Sequence, residues 1–83
     1  MTDQELRDVV LAALGRIAPE ADLGSLDPDV DLADQLDLDS MDTLNLVIGI
    51  HEATGIEIPE RDYPKLASID AAVAYLAARP RSA

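Results

Sequence analysis

Few side chains in this 83-residue sequence could do chemistry, and most of them lie between residues 34 and 52. The run Asp39-Ser40-Met41-Asp42 puts a serine hydroxyl between two carboxylates, at a position that reads as the first turn of a helix. A hydrolytic serine needs a base within about 3 Å. The one histidine, His51, stands eleven residues further along the same helix, about 16 Å away by helical rise. No G-x-S-x-G elbow is present either, and His51 reads as an exposed helix residue. At a helix start the backbone N–H groups are unpaired and the dipole is positive, so Ser40 could hold a phosphate group, or it could be no more than part of the cap. The aspartates do not form a calcium loop. Counted from Asp37, position six is Asp42 where glycine is needed, and position twelve is Ile48 where glutamate is needed; counted from Asp31, position six is Leu36. With no cysteine and one histidine there is no zinc ligand set, and no metal site is expected.

Charge excludes other functions. Seventeen acids against six bases give a net charge of −11, which would repel nucleic acid and anionic membranes alike. No apolar run approaches the roughly 20 residues that cross a bilayer. Residues 1–19 mix charged and apolar side chains, unlike a signal peptide. The expectation is a monomeric cytoplasmic protein whose partners carry basic patches. The acids are concentrated: Glu20 to Asp42 contains nine, and no Lys or Arg occurs between Ile17 and Glu60. Such a run is either a solvated loop or a docking surface. Because like charges oppose compaction, raising the ionic strength, or adding millimolar magnesium or calcium, is expected to raise the melting temperature in a thermal scan. A flat response would mean that the acids are already compensated.

The elements that position these residues are helical. Thr2 and Glu5 form a capping box ahead of an apolar stripe, Leu6, Val9, Val10, Ala13, Leu14 and Ile17, which predicts a helix over 3–18 closed by Pro19 and weakened by Gly15. Glu20 to Leu38 is a long connection. Leu23, Leu26, Val30, Leu32 and Leu36 should pin it to a core, with a helical turn near Leu32–Leu36. Asp39 predicts the N-cap of a helix over 40–54, with Asp42 at N3 and Gly55 just beyond its end. Ile56 to Pro59 reads as extended. A short turn over 60–63 should be cut off by Pro64. Ser68 caps a last helix over 69–78 carrying Ile69, Ala72, Val73, Leu76 and Ala77, with Pro80 ending it. Forty-eight per cent of the residues are apolar, with no Phe or Trp, so the core is expected to be aliphatic. At this length, without a disulfide, a compact helical bundle is the natural solution. The whole of 1–83 reads as one domain.

Turning about 100° per residue, the second long helix has two apolar faces. Leu46, Ile50 and Ala53, with Val47 and Thr54 beside them, make a core face. Met41, Leu44 and Ile48 fall on another side, flanked by Asp42, Asn45, His51 and Glu52. Either the long loop covers this second strip, or it is a partner surface edged with acids.

The stretch Asp39-Ser40-Met41-Asp42-Thr43-Leu44 is similar to the phosphopantetheine attachment motif of acyl carrier proteins, D-S-[LM]-D-T-[VL]. The resemblance continues through Leu46-Val47 and Glu52, Gly55-Ile56-Glu57-Ile58-Pro59, Lys65-Leu66, Ala72-Val73 and Tyr75-Leu76. It implies an all-α fold, a four-helix acyl-carrier-like bundle with a long first loop and a short third helix. It also implies a non-enzymatic carrier. Ser40 would bear 4′-phosphopantetheine, installed from coenzyme A by a phosphopantetheinyl transferase (a holo-carrier synthase) with a magnesium ion held partly at Asp39. The arm would hold acyl groups as thioesters. Asp39 and Asp42 would help dock the transferase; Met41, Leu44 and Ile48 would fill grooves of acyl-loading and acyl-processing enzymes; Asp34, Asp37 and Glu52 would steer their basic patches. Asp37 stands where the family usually has Gly, Asn45 and His51 where fatty-acid carriers commonly have Glu, and Thr54 where Phe or Leu is common. These departures point to a dedicated fatty-acid, lipid or polyketide pathway, and the short tails and Met1 to a freestanding protein. An aminoacyl or peptidyl carrier is the nearest alternative; an unmodified acidic helical adaptor is the alternative from another class.

Overall fold

The Thr2 hydroxyl accepts a hydrogen bond from the Glu5 N–H at 3.1 Å, and the Glu5 carboxylate accepts one from the Thr2 N–H at 2.8 Å. Two donors that a helix start leaves unpaired are thereby satisfied. From this cap runs α1, Asp3–Ile17. The computed structural model describes residues 1–79; the expected stop at Pro80 lies outside the described residues. The other elements are a short 3-10 turn at Leu23–Ser25, α2 (Leu32–Leu36), α3 (Ser40–Thr54), a 3-10 helix (Glu60–Leu66) and α4 (Ile69–Ala78). The fold is a helical bundle in which α1 packs against both α3 and α4, and the 3-10 helix packs on α4.

The core is aliphatic. Leu14, Ile50, Ile56, Leu76 and Val10 are its largest fully buried side chains, each worth about 1.5–3 kcal/mol of burial. Helices α1 and α3 cross closely, because a Cβ on Gly49 would lie 3.3 Å from the Ala13 Cβ. A larger residue at 49 would push the two helices apart. At the end of α3 the chain reverses through Gly55 at φ 72°, where a side chain would be strained.

The long connection is pinned, as its hydrophobes predicted, but polar groups share the task. Leu32 is buried, and Leu23, Leu26 and Leu36 pack on the core. The Leu32 N–H donates to the Ala67 carbonyl at 2.7 Å, and the Asp70 N–H donates to the Pro28 carbonyl at 2.8 Å. The Gln35 amide closes the loop on itself, accepting from the Asp27 N–H and donating to the Asp27 and Val30 carbonyls. Val30 is exposed and does not act as a pin.

Three further sequence expectations are overturned. Ala53 and Ala77 are exposed, not core. Ala53 lies about 60° of helical turn from Ile50 along the rim of the face, where the groove between α1 and α3 opens. Pro64 does not end the third bundle helix, which continues to Leu66 as a 3-10 helix with Pro64 inside it. Proline's fixed φ near −65° suits 3-10 geometry, and the cost there is one lost N–H donor.

Candidate functional site

The site is built on the first turn of α3. The Asp42 N–H donates to the Asp39 carboxylate at 2.9 Å, and the Asp39 N–H donates to the Asp42 carboxylate at 3.2 Å. This reciprocal box occupies both acids with backbone donors and holds the turn in shape. The Thr43 hydroxyl adds a bond to the Asp39 carbonyl at 3.2 Å. Ser40 is the first helical residue and is exposed. The cap is therefore made by Asp39 and Asp42, and the Ser40 hydroxyl makes no hydrogen bond to another described residue. The reading of Ser40 as only a capping group does not describe this turn.

The single histidine, His51, sits in the last turn of α3, away from Ser40 in the first. The His51 ring meets the Ile56 carbonyl through Nδ1 at 2.8 Å, so this exposed histidine closes the far end of α3. The adjacent Thr54 is buried and does the same from inside, donating to the Ile50 carbonyl at 2.8 Å and accepting from the Ile56 N–H at 3.1 Å. This dual bonding satisfies a hydroxyl where an apolar residue would otherwise fit. Among the described residues, no group of three or more His, Asp or Glu side chains is placed to hold a metal ion.

The second apolar strip of α3 is open. Met41 is 61% exposed, Leu44 38% and Ile48 44%. The loop does not cover them; its own backbone hydrogen bonds run to Ala67 and Asp70. The strip begins beside Ser40, with Asp34, Asp37, Asp39, Asn45, His51 and Glu52 also exposed. Asp42 is half-buried, since it is spent on the cap. Asp37 takes a left-handed conformation at φ 56° where it ends α2, a geometry that costs most residues about 1 kcal/mol and aspartate less. Asp37 thus supplies a carboxylate at a corner where glycine would supply only freedom.

One hollow reaches the serine, and a second lies next to it. The outer one is lined by Ser40, Met41, Thr43, Leu44, Glu60 and Tyr63. The inner one is largely apolar, between α2, α3 and the 3-10 helix, with Leu32, Leu38, Leu46, Pro64 and Leu66 in its wall; Thr43 and Tyr63 line both. Sequence reasoning missed this pair, because Tyr63 and Thr43 come together only through packing.

It also missed the polar cluster behind the 3-10 helix. Asp62 is buried and accepts the Tyr75 hydroxyl at 2.7 Å. Lys65 Nζ lies 3.3 Å and Arg79 Nη1 3.9 Å from the same carboxylate. The Tyr75 hydrogen bond holds the Asp62 carboxyl below its usual range, against the opposing effect of burial. Burial first, and then the bond to Asp62, raise the Tyr75 phenol. A carboxyl lowered on folding contributes stability above its unfolded value, near pH 4, that is lost as the pH falls through its folded value. A phenol raised on folding contributes stability below about pH 10 that is lost as the pH climbs through its own. Tyr75→Phe is therefore expected to flatten both the acid and the alkaline limb of a melting-temperature profile. Limbs identical to the parent's would show the pair to be uncoupled.

A family profile described as "Phosphopantetheine attachment site" matches residues 4–76. The chain is 32% identical over 78 residues to "Acyl carrier protein 2, mitochondrial" of Arabidopsis thaliana, covering 94% of this chain and 61% of that protein. It is 38% identical over 73 residues to "Acyl carrier protein" of Campylobacter hominis, covering 88% and 86%. It is 44% identical over 48 residues to "Acyl carrier protein, mitochondrial" of Neurospora crassa, covering 58% and 36%. The chain thus spans less than two thirds of the two mitochondrial proteins.

Proposed function

Because the chain belongs to the acyl carrier protein family, through a phosphopantetheine-attachment domain over residues 4–76, we propose that Ser40 carries a covalent 4′-phosphopantetheine arm for acyl cargo. The observation that carries this reading is an exposed hydroxyl on a first turn whose cap is made entirely by its neighbours. Nothing in the turn has to be broken for Ser40 to react. The residues around it fit such a group, with open space at the outer hollow beside the hydroxyl. When bound, the arm supplies a thiol that holds an acyl group as a thioester.

The chain's own residues divide the remaining work. In loading, the Ser40 oxygen would form the new bond to phosphorus as the pyrophosphate bond of coenzyme A breaks, adenosine 3′,5′-bisphosphate would leave, and the hydroxyl proton would pass to a base on the transferase. That base must come from the partner, since His51 is engaged at the far end of α3. On this reading the protein is a carrier and not a catalyst. Asp39 and Asp42 keep the turn shaped and present negative charge to the transferase and its magnesium ion. Met41, Leu44 and Ile48 enter partner grooves, and Asp34, Asp37 and Glu52 steer basic patches toward them. Across its described residues the chain acts as one monomeric carrier domain in a dedicated acyl pathway.

Among the described residues no helix is long and apolar enough to cross a membrane. The compartment we assign is the cytoplasm, and cell fractionation checks it. Incubation with a phosphopantetheinyl transferase and coenzyme A, followed by intact mass, tests the central reading. A single adduct that maps to Ser40 supports it; no adduct leaves the acidic adaptor standing. Charging by an adenylating enzyme with an amino acid, in place of an acyl group, would make it an aminoacyl carrier.

A further inference from the structure

The sequence contains two methionines and no cysteine, so all of its side-chain sulfur is thioether. The two methionines differ in their surroundings. Met1 borders a hollow with Leu6, Ile56, Leu76 and Ala77, which contains no residue of the exposed strip on α3. Met41 opens that strip, and it is more exposed than Met1, Val30, Leu44 or Ile48. It also lines the same hollow as Ser40. A thioether is apolar and polarizable, which suits it to partner grooves of varied shape. The same sulfur is open to two-electron oxidation, because a peroxide reaches its lone pair without any unfolding of the chain. One side chain thus joins three properties: an accessible sulfur, a place in the apolar strip, and a position beside the attachment hydroxyl.

We propose that Met41 is an oxidation site, at which hydrogen peroxide converts the docking strip to a form that partners do not accept and so stops loading at Ser40. This deepens the carrier reading and rests on it. The sulfur lone pair attacks one peroxide oxygen. A sulfur–oxygen bond forms as the oxygen–oxygen bond breaks, the sulfur is oxidised by two electrons, and the peroxide is reduced and leaves as water. The product, methionine sulfoxide, is polar. On the free chain its oxygen stays in water, because Met41 is exposed. In an apolar groove of a partner that oxygen loses its water and gains no donor, and the anchor is lost. The core does not feel the change. Leu46, Val47, Ile50 and Thr54, the buried residues of α3, lie about 120° or more of helical turn from Met41. Two electrons from a pair of thiols, delivered by a reductase, return the thioether and release the oxygen as water, so the block is reversible.

The test uses the full chain before loading, so that no thiol of the arm competes for the oxidant. The chain is treated with hydrogen peroxide, freed of it, and mapped by peptide mass for an added oxygen at Met41. Loading by a phosphopantetheinyl transferase with coenzyme A is then followed by intact mass. In the oxidised parent, kcat/KM is expected to fall about tenfold with the melting temperature unchanged. Methionine sulfoxide reductases A and B with dithiothreitol restore the rate, and dithiothreitol alone does not; both reductases are needed because each acts on one sulfoxide epimer. In Met41→Leu, peroxide still oxidises Met1, and the treated and untreated rates stay equal, whatever rate the variant starts from. Equal rates in the treated and untreated parent overturn the proposal. So does the same fractional loss in Met41→Leu, which would put the effect at another residue, or a loss that comes with earlier melting, which would put it in the fold.

The two readings fail separately. A missing adduct on the untreated parent overturns the carrier reading of Ser40. The oxidation itself is read without loading. Met41 is expected to take up oxygen within about threefold of the rate of a short unstructured methionine peptide in the same peroxide, since susceptibility follows exposure. Uptake slower than the peptide by about tenfold or more would show a protected sulfur and overturn the site.

Discussion

Ser40→Ala is expected to fold and melt as the parent does and to gain no mass with transferase and coenzyme A. Both halves follow from the first turn of α3. The side chain is exposed, and the turn's cap is made by Asp39 and Asp42. Alanine is also a better helix former than serine. A surface change of this kind stays within about 0.5 kcal/mol. The loss of loading is complete, not graded, because alanine has no oxygen to bond to phosphorus. Asp39→Ala makes the useful contrast. It removes the cap, at about 1 kcal/mol, and weakens loading without abolishing it. A mass gain on Ser40→Ala would move the attachment elsewhere.

The second large effect comes from residues two apart on α3. Ile50 is completely buried and Ile48 is 44% exposed, because two residues turn the helix by about 200°. Ile50→Ala leaves a cavity and is expected to cost about 2–5 kcal/mol. A domain of this size holds roughly 4–12 kcal/mol in all, so the melting temperature should fall by about 10 °C or more. Ile48→Ala should leave melting almost unchanged and reduce kcat/KM for the transferase about tenfold, as loss of an apolar anchor does. Thermal scans and loading rates on the two variants check this. If Ile48→Ala melts as early as Ile50→Ala, the strip belongs to the core and not to a docking face.

The capping groups were legible in the sequence because their partners are near in the chain. Thr2 with Glu5, Asp39 with Asp42, and Ser68 with Ala71 each bond three residues away, and Gly55 closes on His51 at four. The helical turn at Leu32–Leu36 was expected from the hydrophobes of the connection; its cap, Asp31, was not read from the sequence. The 3-10 helix was only half legible. Its start at Glu60 was read correctly, but proline rules drawn from α-helices ended it too early. His51 was read as exposed, yet its bond to Ile56 could not be seen, because that depends on the reversal at Gly55.

By itself, then, the sequence determined where helices begin, which side of α3 faces the core, and that an acid-flanked hydroxyl stands at a helix start. These follow from periodicity and from hydrogen bonds that close within one turn. Tertiary structure alone decided whether Met41, Leu44 and Ile48 stay open, since that depends on where the loop is tied: Leu32 to Ala67 and Asp70 to Pro28. It also decided the tie of Asp62 to Tyr75 and the meeting of Thr43 with Tyr63. Such contacts join residues far apart in the chain, and they depend on how whole helices pack, which no local pattern encodes.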